Sequence, residues 1–238
     1  MRVHLLTVSV VALIGLAPGP LGFAAQTPAA SEPTLEQLRE SVASLRGGRI
    51  ARPTSYDDMT PEQQSFVRGI LSGPRRDISG SLGVMMVSPG FGEHAQRAIA
   101  YGRFAGQDGY SSVPPRLSEL AILMGARAWS ADYAWHAHHQ YAVRMGLGAD
   151  VVEAVRVGRR PANMEPDVEA VYDFLHELLA DKRVSDATFE AARTVLGGDR
   201  GIVDLVGTLG MYQTVAMLMV VDQFPLPDGV APYLERLE

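Results

Sequence analysis

Residues 116–142 read RLSELAILMGARAWSADYAWHAHHQYA. Leu117, Leu120, Ala121, Met124 and Ala128 recur at spacings of three and four, the mark of one buried helical face. A tight joint near Trp129 and Ser130 separates that helix from a second one. Two helices joined so closely run antiparallel, which sets Glu119 on the first opposite His138 on the second. A carboxylate and an imidazole then become neighbours in an apolar setting. General acid–base chemistry needs that pairing, because the carboxylate orients the ring tautomer and raises its basicity. The same pair also serves as an ordinary structural contact in a core, and position alone leaves both roles open.

Helical signals continue on both sides of this stretch. Thr34 precedes an acidic first turn, Thr60 precedes Pro61 and Glu62, and Ser88-Pro89, Pro114-Pro115 and Ser185-Asp186 mark further starts. Gly146, Gly148, Gly158 and the pair Gly197-Gly198 supply stops. Val168, Val171, Tyr172, Leu175, Leu178 and Leu179 repeat the helical period, and two-residue alternation is nearly absent. The run from Ile202 to Val221 is apolar on most sides, which suits a central helix or one buried between subunits. The fold class expected is all-α, a single helical bundle whose body spans 59–238, after a tether and first helix over 25–58. No later segment reads as membrane-spanning, since Asp204 and Asp222 bracket the most apolar stretch.

Composition narrows the function. The chain has 238 residues, 47% of them hydrophobic, enough for a real core. Its formal charge of −6 gives no reason to seek phosphate backbones, so no nucleic-acid partner is expected. Cysteine is absent, which removes disulfides, thiolate metal sites and thiol nucleophiles together. At the amino end, Arg2, the apolar run Leu5 to Ala17 and the small residues around Gly22 and Ala24 read as a secretory signal over 1–24. The expected location is therefore exported, periplasmic or secreted, with no membrane contact after cleavage. A retained anchor is the alternative, although Pro18 and Pro20 break the run short of the roughly 20 residues a span needs.

His136, His138 and His139 invite a metal reading, since imidazole is a common ligand for zinc, copper and iron. They diverge around the helix and cannot all face one ion, so no metal is expected. Trp135, His138, His139 and Ala142 read as one face of the second helix. His94 and His176 stand outside any constellation and read as surface or packing residues.

The motif Arg116-x-x-Glu119-x-Ala121-Ile122-Leu123, followed by Asp132-Tyr133-Ala134-Trp135-x-x-His138 and then Ala142-x-x-x-Gly146-Leu147, resembles the carboxymuconolactone decarboxylase signature. The likeness extends to Ser88-Pro89-Gly90-Phe91 with Arg103-Phe104, and to Leu178 through Ser185-Asp186 and Gly210-Met211-Tyr212, so it covers about residues 60 to 228. The resemblance implies the alkylhydroperoxidase D-like helical fold, assembled as a trimer or hexamer with the glutamate and histidine in a pocket near subunit contacts. In the peroxidase branch a Cys-x-x-Cys pair occupies the positions that are Ala131 and Ala134 here, so a peroxidatic disulfide cycle cannot run. What the resemblance implies is a cofactor-independent lyase, a decarboxylase, or an isomerase acting on a small carboxylated lactone or aromatic-derived compound. His138 would donate the proton and Glu119 would orient it. Tyr133, Trp135, His139 and Tyr212 would line the pocket, and Arg127 would hold a substrate carboxylate in bidentate fashion. Arg127 as a helix-to-helix salt bridge, and Trp135 and Tyr212 as core packing, are the alternatives. A non-catalytic binding or assembly protein that keeps the fold is the rival function. An open concave space around His138 argues for catalysis and a filled one for a scaffold.

Overall fold

Reciprocal capping starts the first two helices. The Gln37 N–H donates to the Thr34 hydroxyl and the Thr34 N–H to the Gln37 side chain, opening α1 (Leu35–Ala43); Thr60 and Gln63 do the same for α2 (Pro61–Leu71). Ser185 caps α9 (Asp186–Val195) through the Thr188 N–H. Ser88 makes no such bond, so Pro89 alone opens α4 (Pro89–Arg103) with its preset φ. The remaining helices are α3 (Ser81–Met85), α5 (Pro115–Ala128), α6 (Asp132–Arg144), α7 (Ala149–Arg156), α8 (Pro166–Ala180) and α10 (Asp199–Asp222). This computed structural model describes residues 32–236, and among them there is no strand. The leader expected over 1–24, and the tether as far as residue 31, lie outside the described residues.

Helix α5 packs against α6, α7, α8 and α10, and α10 in turn against α3, α4, α6 and α9. One core cluster gathers Leu117, Leu120, Leu123 and Trp135 with Val171, Leu175 and Leu205; a second gathers Leu38, Val67, Met86, Ile99 and Ile122 with Tyr212 and Met219. Leu38 and Val42 are buried in that second cluster, so the first helix, α1, packs into the helical body.

Among the described residues, α10 alone has the length and apolar composition of a membrane span. Its two bracketing carboxylates are satisfied inside the protein. Asp204 accepts from the Tyr101 hydroxyl at 3.0 Å and from Ser112, and Asp222 pairs with Arg52 at 2.5 Å. Where α4 crosses α10, a Cβ at Gly102 would stand 2.6 Å from the Thr208 hydroxyl, so only glycine permits the approach.

Candidate active site

The joint between α5 and α6 sets the site. The N–H groups of Ser130 and Ala131 donate to the carbonyls of Arg127 and Ala126, each at 2.9 Å, and Ser130 takes the left-handed φ of 47° that reverses the chain. Glu119 on α5 and His138 on α6 then meet: the carboxylate Oε2 lies 2.8 Å from the ring Nδ1. Both residues are buried. The other carboxylate oxygen, Oε1, accepts from Arg103 Nη1 at 3.1 Å, and the Arg103 guanidinium rests 4.2 Å from the centre of the Tyr141 ring. Glu119 is thus held at both oxygens, and its partner ring is fixed through Nδ1. Nε2 is the histidine nitrogen left for other work.

His138 borders a cavity of about 280 Å³. Tyr133, Ala134 and Ala137 share that wall on α6, Arg103 and Phe104 close it at the end of α4, and Tyr212, Val215 and Met219 face it from α10. The loop between α2 and α3 forms the remaining side through Pro74, Arg75, Asp77, Ser79 and Gly80. Gly80 has φ 62°, and a Cβ there would stand 2.9 Å from Tyr133 Cε1, so the loop lies directly on that ring. Tyr212 meets the His138 ring edge to face, with centroids 5.1 Å apart and an interplanar angle of 83°.

The electrostatics follow from burial. Withdrawal from water pushes the Tyr212 phenol far above its ordinary pKa, Glu119 adding to the rise and Arg103 opposing it, so this phenol stays protonated at any working pH. Burial also raises Tyr133. Arg75 moves down from the usual arginine value, first through burial and then through the nearby Arg103 charge. Its Nε and Nη2 are shielded and find no hydrogen-bond partner among the described residues.

His138, Tyr133 and Tyr212 therefore line one cavity, Glu119 stands behind His138 outside that lining, and the other three expected residues do not reach it. Trp135 is wholly buried among Leu120, Leu147 and Val151, and its indole N–H is unpartnered. His139 turns its Nδ1 to the carbonyls of Trp135 and His136, each at 3.1 Å, and packs on Tyr233. Each residue advances about 100° around a helix, so the arc holding Tyr133, Ala134, Ala137 and His138 ends at His138, and Trp135 and His139 lie beyond it. Arg127 is buried on the far side of the joint, donating to Ser130 Oγ at 3.0 Å and bordering a separate hollow with Arg160, Tyr172 and His176. It holds neither a carboxylate in this cavity nor, among the described residues, an ion pair between helices.

Sequence reading missed Arg75 and the role of Arg103. The first sits in a loop with no period to place it, and the second had only its proximity to the motif as a signal. Among the described residues no group of three or more His, Cys, Asp or Glu side chains is arranged to hold a metal ion. No protein-family model matches the chain, and no curated protein matches it.

Proposed function

We propose that this chain is a carboxymuconolactone decarboxylase-like protein, a cofactor-independent lyase (a decarboxylase) or isomerase for a small carboxylated lactone or aromatic-derived compound. One observation carries the reading: His138, oriented through Nδ1 by a buried carboxylate, borders an open cavity with its second nitrogen uncommitted. In a decarboxylation the electrons of the breaking carbon–carbon bond pass to the substrate carbon, and a delocalised carbanion must then take a proton. A protonated His138 delivers it from Nε2 while Glu119 stabilises the imidazolium from the other side. Arg103 keeps Glu119 in place, and the protonated Tyr212 offers a neutral donor near the developing charge. For an isomerase the same nitrogen removes and returns a proton. The motif from Arg116 to Leu147 supports the reading independently of the cavity.

Purified protein incubated with a panel of aromatic-derived acids and lactones, and monitored for carbon dioxide release and for isomer formation, tests the activity. On the substrate so found, His138→Gln keeps much of the volume but removes the ring nitrogen that would give or take the proton. Its turnover should fall by about a hundredfold to ten-thousandfold with little change in melting temperature. A structural histidine would instead cost about 1–3 kcal/mol of stability and leave turnover per folded molecule intact. Unchanged turnover in His138→Gln, or no wild-type activity across the panel, would overturn the acid–base reading and favour a binding protein.

A further inference from the structure

The cavity wall carries two cations, and only one is spoken for. Arg103 pairs with Glu119, and the nearby Asp77 carboxylate is engaged by the N–H and hydroxyl of Ser79. Arg75 has no carboxylate within ion-pair distance among the described residues. Its shielded nitrogens, Nε and Nη2, form the side edge of the guanidinium. Elsewhere in this protein that same edge makes two-pronged contacts: Arg156 grips both oxygens of Glu153 at 2.8 Å, and Arg39 grips those of Asp57 at 2.9 and 3.1 Å. A guanidinium withdrawn from water with an unpaired fork is costly to keep, and a planar two-oxygen anion is the group that satisfies it.

We propose that Arg75 is a specificity-determining residue that grips a carboxylate of the bound substrate, fixing the molecule by its anionic end in the cavity that holds His138. The inference rests on the reading of that cavity as a substrate site. In the complex the guanidinium turns its Nε–Nη2 edge to the ligand, while Phe104, whose ring centre lies 6.0 Å from the guanidinium carbon, backs its face. Pro74 and Arg75 also border a neighbouring hollow of about 310 Å³, so the side on which an anion sits must be read directly.

Benzoate and its neutral isostere benzamide are suitable probes, titrated by calorimetry into wild type, Arg75→Met and Arg75→Lys, with the His138 ring resonances followed by NMR. Wild type should prefer benzoate, with His138 shifting on binding. Arg75→Met should lose about tenfold to a hundredfold in benzoate affinity with benzamide unchanged, and Arg75→Lys, which restores charge without the fork, should recover part of it. Equal loss for both probes marks a structural role and overturns the proposal, as does retention of benzoate affinity in Arg75→Met. Benzoate binding that leaves His138 unmoved places the anion in the neighbouring hollow and also overturns it, and so does a wild type that binds no benzoate. Benzoate that shifts His138 equally in wild type and Arg75→Met sinks this assignment alone. Unchanged turnover in His138→Gln sinks the acid–base reading whatever Arg75 does.

Discussion

At Tyr212 burial keeps a phenol protonated, and that has a consequence for stability. In the unfolded chain a tyrosine loses its proton near pH 10, whereas in the folded protein Tyr212 keeps it to higher pH. Above about pH 10 the folded state therefore binds more protons than the unfolded one, and stability must fall as pH rises. Tyr212→Phe removes this contribution. Urea unfolding between about pH 8 and pH 11 should show the wild type losing stability faster than the variant, and parallel pH dependences would refute it. The residues of the site differed in how well sequence could place them. Glu119 and His138 were legible because each sits on a periodic helix flanking a short joint. Trp135 and His139 were misplaced because His138 ends the arc of α6 that meets the cavity, and period alone does not say where an arc ends. Arg75 was invisible because only the packing of a loop against α4 and α6 brings it in.

Among the elements, the carboxyl end of α10 is tied to the segment after α1. Asp222 accepts from Arg52 and from the Ile50 N–H at 2.7 Å, and its carbonyl accepts from the Arg49 N–H at 2.6 Å, with the side chains of the Arg52–Asp222 pair almost wholly buried. Asp222→Asn leaves the Arg52 charge buried and unpaired, at a cost of about 3–5 kcal/mol. The double variant Asp222→Asn with Arg52→Met removes both charges and should be more stable than Asp222→Asn alone. Chemical denaturation of all three proteins checks this, and a double variant weaker than Asp222→Asn alone would contradict it. Helix starts at Thr34, Thr60 and Ser185 were readable because capping is local chemistry. The short α3 was not, since five residues span little more than one turn, too few for a spacing to repeat, and tertiary contact sustains them.

At the scale of the molecule, one face of α10 stays uncovered among the described residues. Val203, Val206, Met217 and Val221 are exposed along one stripe, with Gly207, Gly210 and Thr214 between them, and Val203 retains 69% of its surface. We propose that a homo-oligomer, trimer or hexamer, closes over this stripe. Light scattering at micromolar protein should give a multiple of the monomer mass, and Val203→Lys with Val221→Lys should lower it; a monomeric wild type would count against the assembly. The all-helical architecture was legible at this scale because every long segment shares one period. The tie between the chain's two halves was not, because nothing local in Arg52 or Asp222 announces it. That tie joins positions 170 residues apart, whereas Glu119 and His138 are separated by 19 and Arg103 and Glu119 by 16. Loop closure is cheaper and faster over short spans, so the Glu119–His138 pair should assemble within a local hairpin early in folding. The Arg52–Asp222 tie can close only once α10 has docked, which makes it a late event that governs how slowly the finished fold reopens rather than how quickly it forms.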